Sequence, residues 1–219
     1  MNVLRQIAIV SLLNFRGLRQ RLWQSLVIVA GMACVIGVLL SMLSMTEGLH
    51  KASLGNGDPR NAIVVSRGTI WEINSSIPRD KARIVMAAPG IAKAEDGSPL
   101  VDAVVMVGVP VRILKTGGRT WITLRGFGDK GTMLQPGFRM VAGRMFRPGT
   151  HELIVGNLAQ FQIAGAKVGD TVSLPDGEWP IVGAFATGDM LDGQLVGDTE
   201  TLMASLRRKA YTTIQARMA

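Results

Sequence analysis

Hydrophobic and polar positions divide this chain into two regimes. From Leu22 to Thr46 there is no alternation at all: LWQSLVIVAGMACVIGVLLSMLSMT is 25 residues without a charge. As a helix it would run about 37 Å, longer than the roughly 30 Å hydrocarbon core of a bilayer, so it can span one with tilt. Before it, residues 1–21 place Leu4, Ile7, Ala8, Leu12, Phe15 and Leu18 at near-helical spacing, with Arg5, Arg16 and Arg19 elsewhere. That pattern suits an amphipathic helix lying on a membrane face; the other reading is an extension of the spanning helix. A cleaved signal peptide fits poorly, because the apolar run exceeds the usual length of about 7–15 residues and SMTEGLHKAS offers no A-x-A site.

Beyond residue 46 the pattern breaks into short pieces. NAIVVS reads as a strand. SSIPRDKARIVMAAPG reads as a helix entered through serines, with Pro78 and Asp80 in its first turn and Pro89-Gly90 as its stop; Ile77, Ile84, Val85 and Ala88 form its apolar face. DAVVMVGV, VRILKT, TWITLR and HELIVG are strand candidates, NLAQFQIAG a short helix, and DTVSLPDGEWPIVGAF two strands about a PDGE turn. DTETLMASLRRK begins with acids and ends with bases, as the helix dipole favours. No tandem repeat or low-complexity tract occurs. The fold class expected is α+β: one N-terminal transmembrane helix, residues 22–46, then a mixed α/β domain over 47–219.

Charge gives this layout a direction. The four arginines Arg5, Arg16, Arg19 and Arg21 precede the span and supply half of the net charge of +8, while no acid appears before Glu47. The positive-inside rule then keeps the N-terminus cytoplasmic and exports residues after about 47. The basic residues of the exported part are scattered, so nucleic acid is not an expected partner. The one cysteine, Cys34, falls within the span, leaving the exported part without a disulfide and dependent on an ordinary packed core.

Candidate chemistry is sparse. LRGFGDKG sets Gly126, Gly128 and Gly131 in G-x-G-x-x-G after a strand, but TMLQPGFRMVAGRMF follows where a dinucleotide-binding turn needs a helix. The stretch reads as a strand followed by a turn. Gly-Lys never occurs, which removes the P-loop, and there is no G-x-S-x-G elbow. His50 and His151 have no ligand partners at metal spacing, and Asp189 and Asp192 in TGDMLDG read as a solvated turn rather than an ion site. A Ser-Lys hydrolase finds no serine singled out. No catalytic, cofactor-binding or metal residues are assigned. Within the span, Ala33, Gly37 and Ser41 recur every four residues, which makes them a candidate face for packing against another membrane helix.

The order of these features resembles the opening of MacB-like and FtsX-like ABC transporter permeases. The similarity lies in GDPRNAIVVSRG, IPRDKARIVMAAPGIAKAEDGSPL and ITLRGFG, and most specifically in GRMFRPGTHELIVGNLAQFQIAGAKVGDTVSLPDGEWPIVGAF; TGDMLDGQLVGDTETLMASLRRKAY is also similar. The resemblance implies a MacB-type periplasmic core domain in an inner-membrane permease of four helices. It implies two copies, or this chain and another permease chain, joined to a separate ABC-type ATPase, with membrane lipid around them and no ATP hydrolysis in this chain. Work on lipoproteins, peptides, drugs or lipids, or transmission of force to periplasmic partners, would follow. No second apolar run occurs after Thr46, so the chain reads as a fragment, a truncated product or half of a split permease. An anchored periplasmic scaffold or adaptor is the alternative.

Overall fold

The computed structural model describes residues 3–54, 58–174 and 176–219; in the first helix, side chains are described from Leu22 to Gly48. That helix, α1 (Val3–Leu54), continues without a break through the arginine-bearing flank and the apolar segment. The first proline of the chain is Pro59, so nothing in the sequence from 3 to 54 forces a kink. The backbone therefore marks no boundary at residue 21 or 46. The proposed amphipathic face of residues 1–21 and the side chain of His50 lie outside the described residues. Leu22–Gly48 is long and apolar enough to cross a membrane, and all of its side chains are exposed. Contacts divide the chain into two compact units, one ending at Lys51 and the other spanning Ala52–Ala219.

The second unit is built on two main sheets. Its strands are β1 (Asn61–Val64), β2 (Ile77–Pro78), β3 (Val101–Val104), β4 (Met106–Arg112), β5 (Arg119–Phe127), β6 (Arg139–Gly143), β7 (Leu153–Gly156), β8 (Thr171–Leu174), β9 (Gly177–Ala186), β10 (Leu195–Asp198), β11 (Ala210–Tyr211) and β12 (Thr213–Arg217). The smaller sheet runs β1-β12-β3, all antiparallel. The larger runs β4-β5-β10-β7-β9-β6, with β8 added on β9; β5 pairs with β10 and β7 with β9 in parallel, the rest antiparallel. A two-stranded ribbon, β2 with β11, completes the set.

Hydrophobic run length explains the middle of the large sheet. β7 (LIVG) and β10 (LVGD) are buried at every position. Leu153, Val155 and Leu195 enter a core with Trp179, Ile122 and Leu124, while Ile154 and Val196 enter a second core with Phe127, Phe146 and Phe185. Strands covered on both faces do not alternate. At the edge, the β4–β5 hairpin alternates clearly: Val109 and Ile122 point to the core, Pro110, Arg112, Arg119 and Trp121 to solvent. A third core, Ile77, Ala82, Val101, Ile214 and Ala216, belongs to the small sheet.

Three helices accompany these sheets: α2 (Arg79–Met86), α3 (Ala159–Gln162) and α4 (Thr199–Ser205). α2 is shorter than the pattern suggested, and its face is rotated. Of the expected face, Val85 packs and Ile77 enters the same core from β2, while Ile84 (73% exposed) and Ala88 face solvent; Ala82 and Met86 take their place. The helix starts only after Pro78, so its phase is set by the i, i+3, i+4 triplet at 82, 85 and 86. α4 is capped by Asp198, whose carboxylate accepts the Thr201 N–H at 2.9 Å. It stops at Ser205, and Arg207 adopts a left-handed φ of 50°, so the basic run follows the helix instead of completing its last turn. DAVVMVGV is likewise not one strand: it divides at Val105 into β3 and β4, which join different sheets.

Candidate functional site

On α1, Ala33, Gly37 and Ser41 are exposed, and a Cβ built on Gly37 meets nothing within 4 Å. Four-residue spacing puts the three on one helix face, in a stripe about 12 Å long.

The glycine fingerprint has a packing explanation. Gly126 lies within β5, and a Cβ there would stand 2.7 Å from Thr199 Cα and 2.8 Å from Val105 Cγ1. A Cβ on Gly128 would collide with Asp102 Oδ1, and one on Gly131 would stand 2.6 Å from Phe127 Cγ and 2.8 Å from Asp102 Oδ2. The three glycines thus admit a carboxylate of β3 and the start of α4. No helix begins at the turn; the Gly128 N–H donates to Asp102 Oδ2 at 2.9 Å. Asp102 is buried, and burial pushes its carboxyl up to about 7 against the opposing pull of the Gly128 N–H.

Asp189 and Asp192 are brought together, and they serve the turn that carries them. Asp189 Oδ1 accepts from Leu191 N at 2.8 Å and Thr187 Oγ at 2.6 Å; Asp192 accepts from Thr187 N at 2.6 Å and Gly188 N at 3.1 Å. Asp192 is buried, which corrects the reading of a solvated turn: backbone N–H groups take the place of water. His151 is not isolated in space. Its Nε2 lies 3.3 Å from Asp176 Oδ2, and its ring meets Trp179 edge-on at 4.6 Å. Among the described residues, no three His, Cys, Asp or Glu side chains are placed to hold a metal ion.

Sequence reasoning passed over Arg125. It is buried in β5, donates from Nε to Gln194 Oε1 at 3.1 Å, and stands 3.8 Å from Glu72 on the 3-10 turn Glu72–Asn74. Desolvation lowers the affinity of its guanidinium for a proton, and Glu72 and Asp189 counter that. Alternation alone did not reveal it: Arg125 has the same strand parity as Arg119 and Trp121, which face solvent, and it is buried only where β5 is covered on both faces, from Leu124 to Phe127. On the outward face of the same hairpin, Arg112 and Arg119 are directly paired across the strands, and Trp121 (72% exposed) lies against Gly108.

A helix of spanning length joined to a mixed-sheet domain, whose buried charges bind turns and sheets to one another, defines a membrane-anchored α+β domain. The glycine turn packs against Asp102 and Thr199, and the aspartate pair accepts hydrogen bonds from its own turn. The chain belongs to the MacB-like periplasmic core domain family of ABC transporter permeases, whose family model matches residues 25–219. Its fold is similar to the extracellular domain of the noncanonic ABC-type transporter YknZ from Gram-positive bacteria (TM-score 0.50, 16% identity, 72% of this chain and 81% of that one). It is also similar to the periplasmic region of MacB from Actinobacillus actinomycetemcomitans (TM-score 0.54, 10% identity, 76% and 78%). At these identities the likeness speaks to fold. The comparison with curated proteins gave no match.

Proposed function

We propose that this chain is a membrane subunit of an ABC transporter permease, coupling a separate cytoplasmic ATPase to export, to lipoprotein or lipid trafficking, or to transmission of force across the inner membrane. One observation carries the reading: the family match runs from residue 25 through the apolar segment to Ala219, joining the span and the folded unit in one domain type. In this reading residues 1–21 face the cytoplasm, 22–46 cross the membrane, and the rest is periplasmic. ATP binds on another chain, because no Gly-Lys exists here to cradle a phosphate. ATP can shift this chain between states only through a contact that differs between them, so residues 1–46 are the segment through which the ATPase acts. A second permease chain, identical or not, packs beside it in the lipid.

The experiment measures nucleotide binding to the isolated chain and, separately, co-purification of a co-expressed ABC ATPase with the full chain or a chain lacking residues 1–46. No saturable ATP binding, and loss of the ATPase on deletion, are expected. ATP binding by this chain alone, or ATPase association indifferent to the deletion, overturns the proposal.

The anchored adaptor is the second reading, favoured by the outer face of the β4–β5 hairpin. Like charges directly opposite each other on a sheet cost stability, yet Arg112 and Arg119 are so paired, and neither has an ion-pair partner among the described residues. Exposed tryptophan beside arginine is the composition of interface hot spots. ATPase association lost on deletion decides for the permease; none with the full chain decides for the adaptor.

A further inference from the structure

The two sheets of the folded unit meet along one seam, and the glycine-rich turn is its wall. The chain crosses it at Val105, between β3 and β4, where the Val105 carbonyl accepts the Gly126 N–H at 2.7 Å. Thr199 Oγ donates to the Ala103 carbonyl at 3.1 Å, and Thr212 Oγ accepts the Met106 N–H at 2.7 Å. These bonds are neutral. Asp102 is different: a carboxylate on β3 of the small sheet, 4% exposed, reaching the turn that follows β5 of the large one. Gly128 and Gly131, having no side chains, let it approach the turn this closely.

Its surroundings are wrong for a lasting negative charge. On the turn, Asp129 is a like charge, and Lys130 is committed to Asp96 at 2.6 Å. From β10, Asp198 adds a second like charge while capping α4. From β11, the Tyr211 hydroxyl donates a hydrogen bond to Glu200 at 2.6 Å, and Glu200 also pairs with Arg79. Gln215, opposite Asp102 on β12, is neutral and bonded to Gln135. Among the described residues, no cation pairs with Asp102.

We propose that Asp102 is a proton-operated latch between the two sheets, closing the seam when protonated and loosening it when ionised. A proton on Asp102 removes the repulsion from Asp129 and Asp198 and the cost of holding a desolvated charge, while the remaining carboxyl oxygen still accepts from Gly128 N. When the seam opens, water reaches the group and restores an ordinary carboxylate. A carboxyl held at about 7 when closed and at its usual 3.8 when open binds its proton more tightly in the closed seam. The extra stability is thus complete below about pH 4 and is lost as pH rises through 7. The device is independent of any ATPase partner.

The test is hydrogen exchange at the Gly126–Gly131 and Met106 amides of the full chain in detergent micelles, corrected for the intrinsic pH dependence of exchange. Between pH 5.5 and 8 the opening of the seam should rise about 30-fold, from tenfold per pH unit up to the plateau near 7. Asp102→Asn keeps the shape and the acceptor for Gly128 N but cannot ionise, so its seam should stay flat across that range. A flat wild-type seam, or the same pH response in Asp102→Asn, overturns the proposal. Should the variant not fold, the carbon-13 carboxyl titration of wild-type Asp102 decides: a midpoint near 7 supports the latch, and one near 4 overturns it.

Discussion

Trp179 shows how far one side chain can hold this domain together. It is fully buried in the largest core, its Nε donates to Asp176 Oδ1 at 3.0 Å, and His151 closes its edge. Trp179→Ala should lower stability by roughly 3–5 kcal/mol, as for large aromatic truncations. Trp179→Phe keeps most of the packing and loses a bond to a charged acceptor, so about 1–3 kcal/mol is expected. Urea midpoints of the full chain in detergent measure both; equal midpoints for the two variants would place the stabilisation elsewhere. The alternation in EWPIVG made Trp179 readable as inward-facing. Asp102 was readable too, as the one acid in VDAVV, but its meaning was not. Nothing in sequence spacing says that Gly128 and Gly131, 26 and 29 residues later, are the groups it packs against. A glycine fingerprint read alone suggests phosphate; the same glycines serve a carboxylate from the next sheet.

Among the elements, those defined by their own residues were legible and those defined by partners were not. The apolar helix, β5, β8, β9 and the start of α4 follow from run length, alternation and a capping aspartate. β6 and β12 have weak patterns because their places depend on β9, and on β1 and β3, far away in sequence. The split at Val105 was hidden because β3 and β4 are both apolar; only the sheets they join distinguish them. α1 carries the prediction at this scale. Gly37→Leu puts a bulky side chain where Ala33 and Ser41 leave the helix surface low, and small residues are what let membrane helices approach. Insertion should persist because the segment becomes more hydrophobic, while crosslinking to a partner helix should weaken. Undiminished crosslinking would remove this face from the assembly.

The whole molecule reads as an anchored domain, and its sidedness can be measured. Alkaline carbonate should leave the chain in the membrane fraction, and protease added outside spheroplasts should digest residues beyond about 47; release by carbonate or protection from the protease would refute that arrangement. The small sheet has a further consequence. β12 is its central strand, pairing Asn61 with Arg217 and Asp102 with Gln215. Chains are made N-terminus first, and closing so long a loop is slow relative to local structure. β1 and β3 must therefore wait unpaired, their backbone groups open to other strands, until residues 213–217 arrive. The birth of this domain is a race between β12 and any stray partner.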